Sequence, residues 1–367
     1  MQSVLAFLLV PFSWLYAGVM AVRNWLYAVG WKESEAFAVP LLNVGNLRVG
    51  GTGKTPHVIW LVEELLRQGH RPAILSRGYG RSTRGPRIAD GQDSAATVGD
   101  EPWQYFQLFA PAAVPIAVAE ARRLGAQLLL QQHPEISVIV LDDAYQHQAV
   151  RPTLNVLLTE WARPFYLDHV LPAGRLRESR HGARRADVVI VTKCPTDMAE
   201  ASQVAIARRI SAYARPGVPV LFSTYAYGQP QPLESALELD ENEPAGGPTH
   251  VLGPGPALLL TGIAQPAPLR EYLQTQGYDV RHHAALPDHH AFQPADLEAL
   301  QRHWQLGWPI FTTEKDATRL QAPALWSERS GMRRATHTIP VRVAFLASGA
   351  ARLRALLPAK GAVSQLG

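Results

Sequence analysis

Val44-Gly45-Asn46-Leu47-Arg48-Val49-Gly50-Gly51-Thr52-Gly53-Lys54-Thr55-Pro56 is the stretch on which the fold turns. Residues 39–44 form a short apolar run that reads as a strand. Residues 54–68 carry Val58, Leu61, Val62, Leu65 and Leu66 on one face at helical spacing, and Gly69 suits the C-terminal stop. Strand, glycine-rich loop and helix therefore stand in the order that makes a phosphate-binding loop. Glycines let backbone N–H groups encircle phosphate oxygens, and the helix N-terminus adds partial positive charge. Lys54 is expected to reach the β- and γ-phosphates and Thr55 to ligate magnesium, with Gly50, Gly51, Thr52 and Gly53 completing the nucleotide cradle. The usual pattern has glycine where this chain has Arg48, so the match is Gly-Gly-x-Gly-Lys-Thr rather than the full expression.

A second piece lies downstream. The apolar run 137–141 ends in Asp142-Asp143, the form of a segment whose carboxylate at a strand's C-terminal edge holds magnesium directly or through water. Alone, such aspartates would equally well start a turn. Which of the two would ligate the metal directly stays open.

Beyond these two motifs, short apolar runs alternate with amphipathic stretches, as in an α/β fold with a largely parallel sheet. Candidate strands are 39–44, 73–75, 114–118, 137–141, 154–158, 187–191 and 218–222. Between 228 and 256 the chain turns polar and rich in proline, glycine and glutamate, and strands are expected again near 257–260, 278–282, 309–312 and 338–343. The organisation predicted is an N-terminal segment over 1–37, a P-loop NTPase-like α/β/α domain over 38–228, a linker over 229–256 and a smaller α/β domain over 257–367.

Composition sets outer bounds. With 367 residues, 47% apolar and 18% charged, the chain can bury enough surface to fold, which excludes a disordered protein. A single cysteine, Cys194, excludes an intramolecular disulfide framework and any multi-cysteine metal site, and it has no basic pattern around it beyond Lys193, so it reads as structural. The net charge of +4 suits an anionic substrate without demanding nucleic acid.

The first 22 residues hold no charged side chain but include Phe7, Phe12, Trp14 and Tyr16. A signal peptide would want positive charge and a small-residue cleavage site. Length alone would allow a spanning helix, but Pro11 falls inside it, and Trp14, Tyr16, Trp25, Tyr27 and Trp31 cluster with Arg23 and Lys32. Aromatics of this kind favour the membrane interface, so a helix lying in or dipping into one leaflet is expected. A core helix packed on its own domain is the plain alternative.

Several further segments resemble the tetraacyldisaccharide 4'-kinase family in order and wording, over nearly the whole chain. They are Ser76-Arg77-Gly78-Tyr79-Gly80-Arg81, Gly99-Asp100-Glu101-Pro102, Asp142-Asp143-Ala144-Tyr145-Gln146-His147, Leu171-Pro172-Ala173-Gly174-Arg175-Leu176-Arg177-Glu178, Asp288-His289-His290 and Thr313-Glu314-Lys315-Asp316-Ala317. Ala144 and Tyr145, and Arg175 where proline is common, depart from the family's wording while keeping its charged residues. The resemblance implies two α/β/α domains joined by a β linker, ATP with magnesium, and transfer to the 4'-hydroxyl of a lipid A precursor, an acylated glucosamine disaccharide 1-phosphate. It also implies a peripheral or monotopic place on the cytoplasmic face of the bacterial inner membrane, with no nucleic acid and no obligate protein partner.

By the same resemblance Asp100 accepts the proton of the attacking hydroxyl and His289, or its neighbour His290, partners it. Arg177 and Glu178 are carried over as substrate residues, and Arg77 and Tyr79 are candidate substrate or nucleotide contacts. Read locally, Asp100 could simply cap the helix that follows. The run Arg175, Arg177, Arg180, Arg184, Arg185 could be a solvated face, and those outside the motif are taken as electrostatic background. The rival reading is a P-loop NTPase switch or metallochaperone-type GTPase. Against it, a guanine-specific protein would show an Asn-Lys-x-Asp-type segment, and Val191-Thr192-Lys193-Cys194-Pro195 lacks the aspartate.

Overall fold

The computed structural model describes residues 2–233, 252–327 and 329–361, with side chains from Leu9 onward except at Pro323. The chain divides into two compact units, Met1–Tyr225 with Val343–Gly367, and Ala226–Arg342.

In the larger unit the strands are β1 (Leu41–Asn46), β2 (Pro72–Ser76), β3 (Arg87–Ile88), β4 (Ile116–Val118), β5 (Val138–Asp142), β6 (Leu154–Glu160), β7 (Val188–Thr192) and β8 (Val220–Tyr227). Its helices are α1 (Gln2–Ala28), α2 (Lys54–Arg67), α3 (Ala95–Val98), α4 (Asp100–Phe109), α5 (Arg122–Gln132) and α6 (Glu200–Ser211). The smaller unit holds β9 (Gln231–Pro232), β10 (Gly255–Thr261), β11 (Tyr278–Ala285), β12 (Ile310–Thr313) and β13 (Thr336–Ile339), with α7 (Ala267–Thr275), α8 (Pro294–Gln301), α9 (Glu314–Leu320) and α10 (Ser330–Ala335). β14 (Val341–Phe345) and α11 (Gly349–Arg354) carry the chain back to the larger unit.

The large sheet has the order β14-β8-β7-β6-β1-β5-β2-β4-β3. β1 is its centre, paired in parallel with β5 on one side and β6 on the other. The short edge strand β3 runs antiparallel to β4. Every residue of β1, β2, β5, β6 and β7 is buried, as a sheet covered on both faces requires. Alternation sorts them: Leu42, Val44, Val138 and Val140 pack with Val58, Leu61, Val62 and Leu65 of α2, whereas Leu41, Ile139 and Leu141 pack with Ala126 and Leu129 of α5. The parallel register places the ends of β1, β5, β6 and β7 on one edge, which is where an open α/β sheet binds ligands.

Two differences from the sequence expectation have physical causes. The run 338–343 is two strands in two different sheets, because Pro340 lacks an N–H and interrupts the ladder between β13 and β14. In consequence residues from Val343 onward group with the larger unit instead of extending the smaller one to 367. Of the expected linker, residues 234–251 lie outside the described residues, while Gln231–Pro232 already forms the antiparallel edge of the second sheet, order β11-β10-β12-β13-β9.

α1 is built inside out. Its polar side chains face the body: Ser13 Oγ donates to Val170 O (3.0 Å), Tyr16 Oη to Arg177 O (3.1 Å), Arg23 to Gln146 O (2.6 Å) and Asn24 Nδ2 to Glu178 Oε2 (2.9 Å). Phe12, Leu15, Val19 and Val22, also at helical spacing, are exposed, as are Trp14, Trp25 and Trp31. No described helix is long and apolar enough to cross a membrane.

β1 has little room beside the Asp142–Tyr145 turn. A Cβ added at Gly45 would lie 2.7 Å from Tyr145 Cβ and 3.0 Å from its backbone nitrogen. Gly45→Ala is expected to lower the unfolding free energy by about 1–3 kcal/mol, the usual cost of overpacking. Urea denaturation measures this, and an unchanged midpoint would show that the strand and the turn are not so closely apposed.

Candidate active site

The glycine-rich loop leaves the centre of the sheet and is pinned from within. Asn46 at the end of β1 is fully buried, and its Nδ2 donates to Thr52 Oγ1 (2.7 Å). Gly50 (φ 119°) and Gly53 (φ 86°) adopt backbone conformations that other residues rarely take, and Gly53 is the N-cap of α2. Arg48, the departure from the usual motif, is an ion-pairing residue: its Nε meets Asp168 at 2.7 Å and its Nη1 lies 3.5 Å from Glu160. His57, in the first turns of α2, has burial pushing its pKa down to about 4, so its imidazole is neutral.

Beside the loop stands the acidic pair. Asp142 closes β5 and Asp143 follows in the left-handed region at φ 49°, which turns its carboxylate toward the loop. Lys54 Nζ is 3.7 Å from Asp143 Oδ2, and Arg177 Nη1 is 3.0 Å from Oδ1. Burial raises the pKa of Asp143, but Lys54 and Arg177 outweigh it and bring the carboxyl below its ordinary value. Asp142 is more deeply enclosed. Burial first, and the neighbouring Asp143 second, push its pKa up to about 6. Ser76 Oγ donates to its Oδ2 (3.1 Å), whereas its buried Oδ1 has no hydrogen-bond partner among the described residues. A buried carboxylate oxygen without a protein partner is open to a water or a cation. Thr55, Asp142 and Asp143 therefore suit magnesium, which prefers oxygen ligands.

Other expected residues divide. Arg77 and Tyr79 are exposed on the loop after β2. Asp100 is the first residue of α4 rather than its cap, since Gly99 occupies the N-cap, and with Glu101 it puts acid into the first turn. Glu178, expected against substrate, is instead a buried support, 1% exposed, whose carboxylate takes bonds from Arg185 (2.6 Å), Gln146 (3.0 Å) and Asn24 (2.9 Å). Those bonds occupy both of its oxygens. Arg185, set aside on sequence as background, thus has a partner, and its guanidinium also lies 4.8 Å from the centre of the Tyr145 ring. Two more residues escaped the sequence reading. Tyr105 of α4 is fully buried and neighbours Thr55 and Asp142. Arg122, also buried, donates to the backbone carbonyls of Ala119, Asp142 and Asp143 at 2.6, 3.2 and 3.4 Å. Neither carries a motif, because their partners are set by packing. Cys194 is buried, and burial pushes its thiol up to about 12, so it is inert.

His289 belongs to the smaller unit and Asp100 to the larger. His289 is itself left-handed (φ 61°), with Nε2 3.0 Å from Lys315 Nζ, and Lys315 also lies 3.5 Å from Asp288. His290 is engaged elsewhere, 2.8 Å from Asp296. The segments 288–290 and 313–317 are thereby brought together, and Thr313 caps α9 by accepting from the Asp316 N–H. His282 stacks on His303 and His283 bonds Thr261, so neither turns toward His289 as a shared ligand set. No cluster of three metal-ligating side chains occurs among the described residues.

Comparison with known proteins bears on this arrangement. The sequence profile of the tetraacyldisaccharide-1-P 4'-kinase family matches residues 5–360. A tetraacyldisaccharide 4'-kinase from Bacteroides thetaiotaomicron is 41% identical over 347 residues, spanning 92% of this chain and 88% of its own. Its counterpart from Cytophaga hutchinsonii is 38% identical over 314 residues, 85% and 84% of the two chains. A crystal structure of LpxK from Aquifex aeolicus in complex with ATP superposes with a TM-score of 0.73 at 27% identity, covering 96% of this chain and 98% of that one.

The enclosure of Asp142 has a measurable consequence. Its folded-state pKa of about 6 lies above the ordinary 3.8, so between those values the folded protein holds a proton that the unfolded chain releases. Ionisation of Asp142 therefore removes stability as pH rises through that window, and the loss is complete above it. Without nucleotide or magnesium, Asp142→Asn should be more stable than the parent at pH 7 by about 2–3 kcal/mol, and the gap should close below about pH 4. Equal stability at pH 7 in urea titrations would contradict the enclosed carboxylate.

Proposed function

The chain belongs to the tetraacyldisaccharide-1-P 4'-kinase family, and we propose on that footing that it transfers the γ-phosphate of ATP to the 4'-hydroxyl of a tetraacyldisaccharide 1-phosphate, a step in lipid A biosynthesis. The observation that carries the reading is the meeting of Lys54 with Asp143, 3.7 Å apart, beside an Asp142 oxygen that has no protein partner among the described residues. A phosphate loop with its lysine and a carboxylate pair is the equipment that phosphoryl transfer asks for, namely positioning and charge neutralisation.

Lys54 would hold the β- and γ-phosphates, with backbone N–H groups from Gly50 to Gly53 around them. Thr55, Asp142 and Asp143 are the residues that would hold magnesium, whose charge would offset that of the phosphates. Arg177, Arg77 and Tyr79 would contact the anionic acceptor, and Glu178 would hold Gln146, whose Oε1 accepts from Arg177. Asp100 would accept the proton of the attacking sugar hydroxyl. His289 is kept as a candidate acid–base residue on the family resemblance. Lys315 Nζ lies 3.0 Å from its Nε2.

Labelled ATP tests the reading directly. Label should move to the glycolipid, and Lys54→Ala should depress this by orders of magnitude. Asp100→Asn should lower turnover by about 10²–10⁴ while ATP affinity changes little. Its stability should fall by less than about 1 kcal/mol, the worth of a first-turn charge. Label that reached only free phosphate would favour a nucleotide-hydrolysing switch, and near-normal turnover by Asp100→Asn would put the base elsewhere.

We place the reaction at the cytoplasmic face of the inner membrane, with the protein peripheral or monotopic. The apolar outer face of α1 supports this, since solvent-exposed aromatic and aliphatic side chains at helical spacing suit a lipid surface. Phe12→Ser with Leu15→Ser and Trp25→Ser should weaken cosedimentation with anionic vesicles strongly, at about 1.5–3 kcal/mol for each buried side chain, without lowering the melting temperature. Unchanged cosedimentation would mean that α1 is not the anchor.

A further inference from the structure

Val191-Thr192-Lys193-Cys194-Pro195 keeps the lysine of a base-reading segment without its aspartate, and the proposed reaction assigns it no task. The segment stands where β7 ends, on the same edge of the sheet as the phosphate loop. Lys193 is held in the left-handed region at φ 56°, an uncommon conformation for a residue with a side chain. Its Nζ donates to Gly51 O at 2.7 Å and to Glu160 Oε1 at 2.5 Å.

Two neighbours act in the same sense. Thr192 Oγ1 donates to Thr52 O (2.9 Å), and His57 Nδ1 lies 2.7 Å from Gly53 O. A carbonyl oxygen only accepts, so the proton of His57 is on Nδ1, and Nε2 accepts from Ser223 Oγ at 3.0 Å. Three successive loop carbonyls, those of Gly51, Thr52 and Gly53, thus each meet a donor, the first two from the end of β7 and the third from the first turn of α2 itself. In a planar trans peptide the C=O and the following N–H point in opposite directions. Holding the carbonyls of Thr52 and Gly53 toward these donors therefore aims the N–H groups of Gly53 and Lys54 the opposite way, to the side where a phosphate would be met. The Thr52 N–H is separately engaged with Gly50 O (3.0 Å), which tightens the turn.

We propose that Lys193, together with Thr192 and His57, is a positioning residue that sets the phosphate loop in its anion-binding conformation before nucleotide arrives. The proposal rests on the reading of this loop as the ATP site. Preorganised amides need no rearrangement when the ligand binds, and the loop's glycines would otherwise leave it many conformations. The competing role for Lys193 is to neutralise Glu160, which is 8% exposed at its side chain and also lies near Arg48.

The full chain, three variants and two readouts separate these roles. Lys193→Met keeps most of the stem but removes the donor, Glu160→Gln removes the buried charge, and the double variant removes both. ATP affinity is read by titration calorimetry, and KM is measured separately for ATP and for the lipid acceptor. Lys193→Met should weaken ATP binding by about tenfold or more, as loss of positioning does, with the acceptor KM changed by less than about twofold. The double variant should stay as weak, and Glu160→Gln alone should bind ATP nearly as the parent does. Should Lys193→Met fold poorly because Glu160 is left unpaired, the double variant alone carries the decision. Parent-like ATP affinity in the double variant would overturn the proposal. Absence of ATP binding by the unaltered chain would overturn the underlying reading as well, which keeps the two failures apart.

Discussion

Carboxylates gathered at one edge of a parallel sheet must each be answered by a cation, and most of the arrangement around the phosphate loop follows from that requirement. Asp143 is answered by Lys54 and Arg177, Glu160 by Lys193 and Arg48, and Glu178 by Arg185. Beneath them the buried Arg122 takes the carbonyls of Asp142 and Asp143, and burial brings its own pKa down to about 10. Removing one member of such a set leaves a buried charge behind, which costs far more than an exposed pair contributes. Among the described residues Asp142 is the exception, with no cation of its own in hydrogen-bond reach and one orphan oxygen.

The same edge carries strained backbone. Asp143 and Lys193 both adopt left-handed backbone conformations without being glycine, each just beyond the end of a strand. Such residues cost of the order of 1–3 kcal/mol and persist only where the surroundings over-determine them. Both have their side chains turned onto the phosphate loop or its lysine, through Asp143 with Lys54 and Lys193 with Gly51. The conformations therefore redirect side chains from the strand direction toward the loop.

α1 couples this site to a surface of different character. Its polar face is tied to residues 146, 170, 177 and 178, next to the acidic pair, while its opposite face leaves aromatic and aliphatic side chains in contact with solvent. An ordinary surface helix buries its apolar stripe and wets its polar one. Here the order is reversed, so the helix is satisfied toward the protein by hydrogen bonds and has its hydrophobic demand unmet on the outside. Asn24 on Glu178 and Arg23 on the Gln146 carbonyl place that helix within one side chain of the Arg177 cluster.

Sequence by itself determined the parts whose signals are local. Apolar periodicity separated buried strands from α2, the glycines of the loop marked where backbone must take unusual angles, and Asp142-Asp143 at the end of an apolar run marked the sheet's working edge. Those features depend on neighbours within a few residues, so they can be read one segment at a time. Tertiary structure alone decided which charges meet. Lys193 reaches Gly51 across 142 positions, and Glu178 is reached by Asn24 across 154. That is why Lys193 passed as a motif lacking its aspartate, Arg185 as background and Glu178 as a substrate contact. The fate of residues 338–343 shows the same limit, since an apolar run cannot say that Pro340 hands the chain from one sheet to another. Pairing across the chain is fixed by packing, and packing leaves no periodicity in the sequence to read.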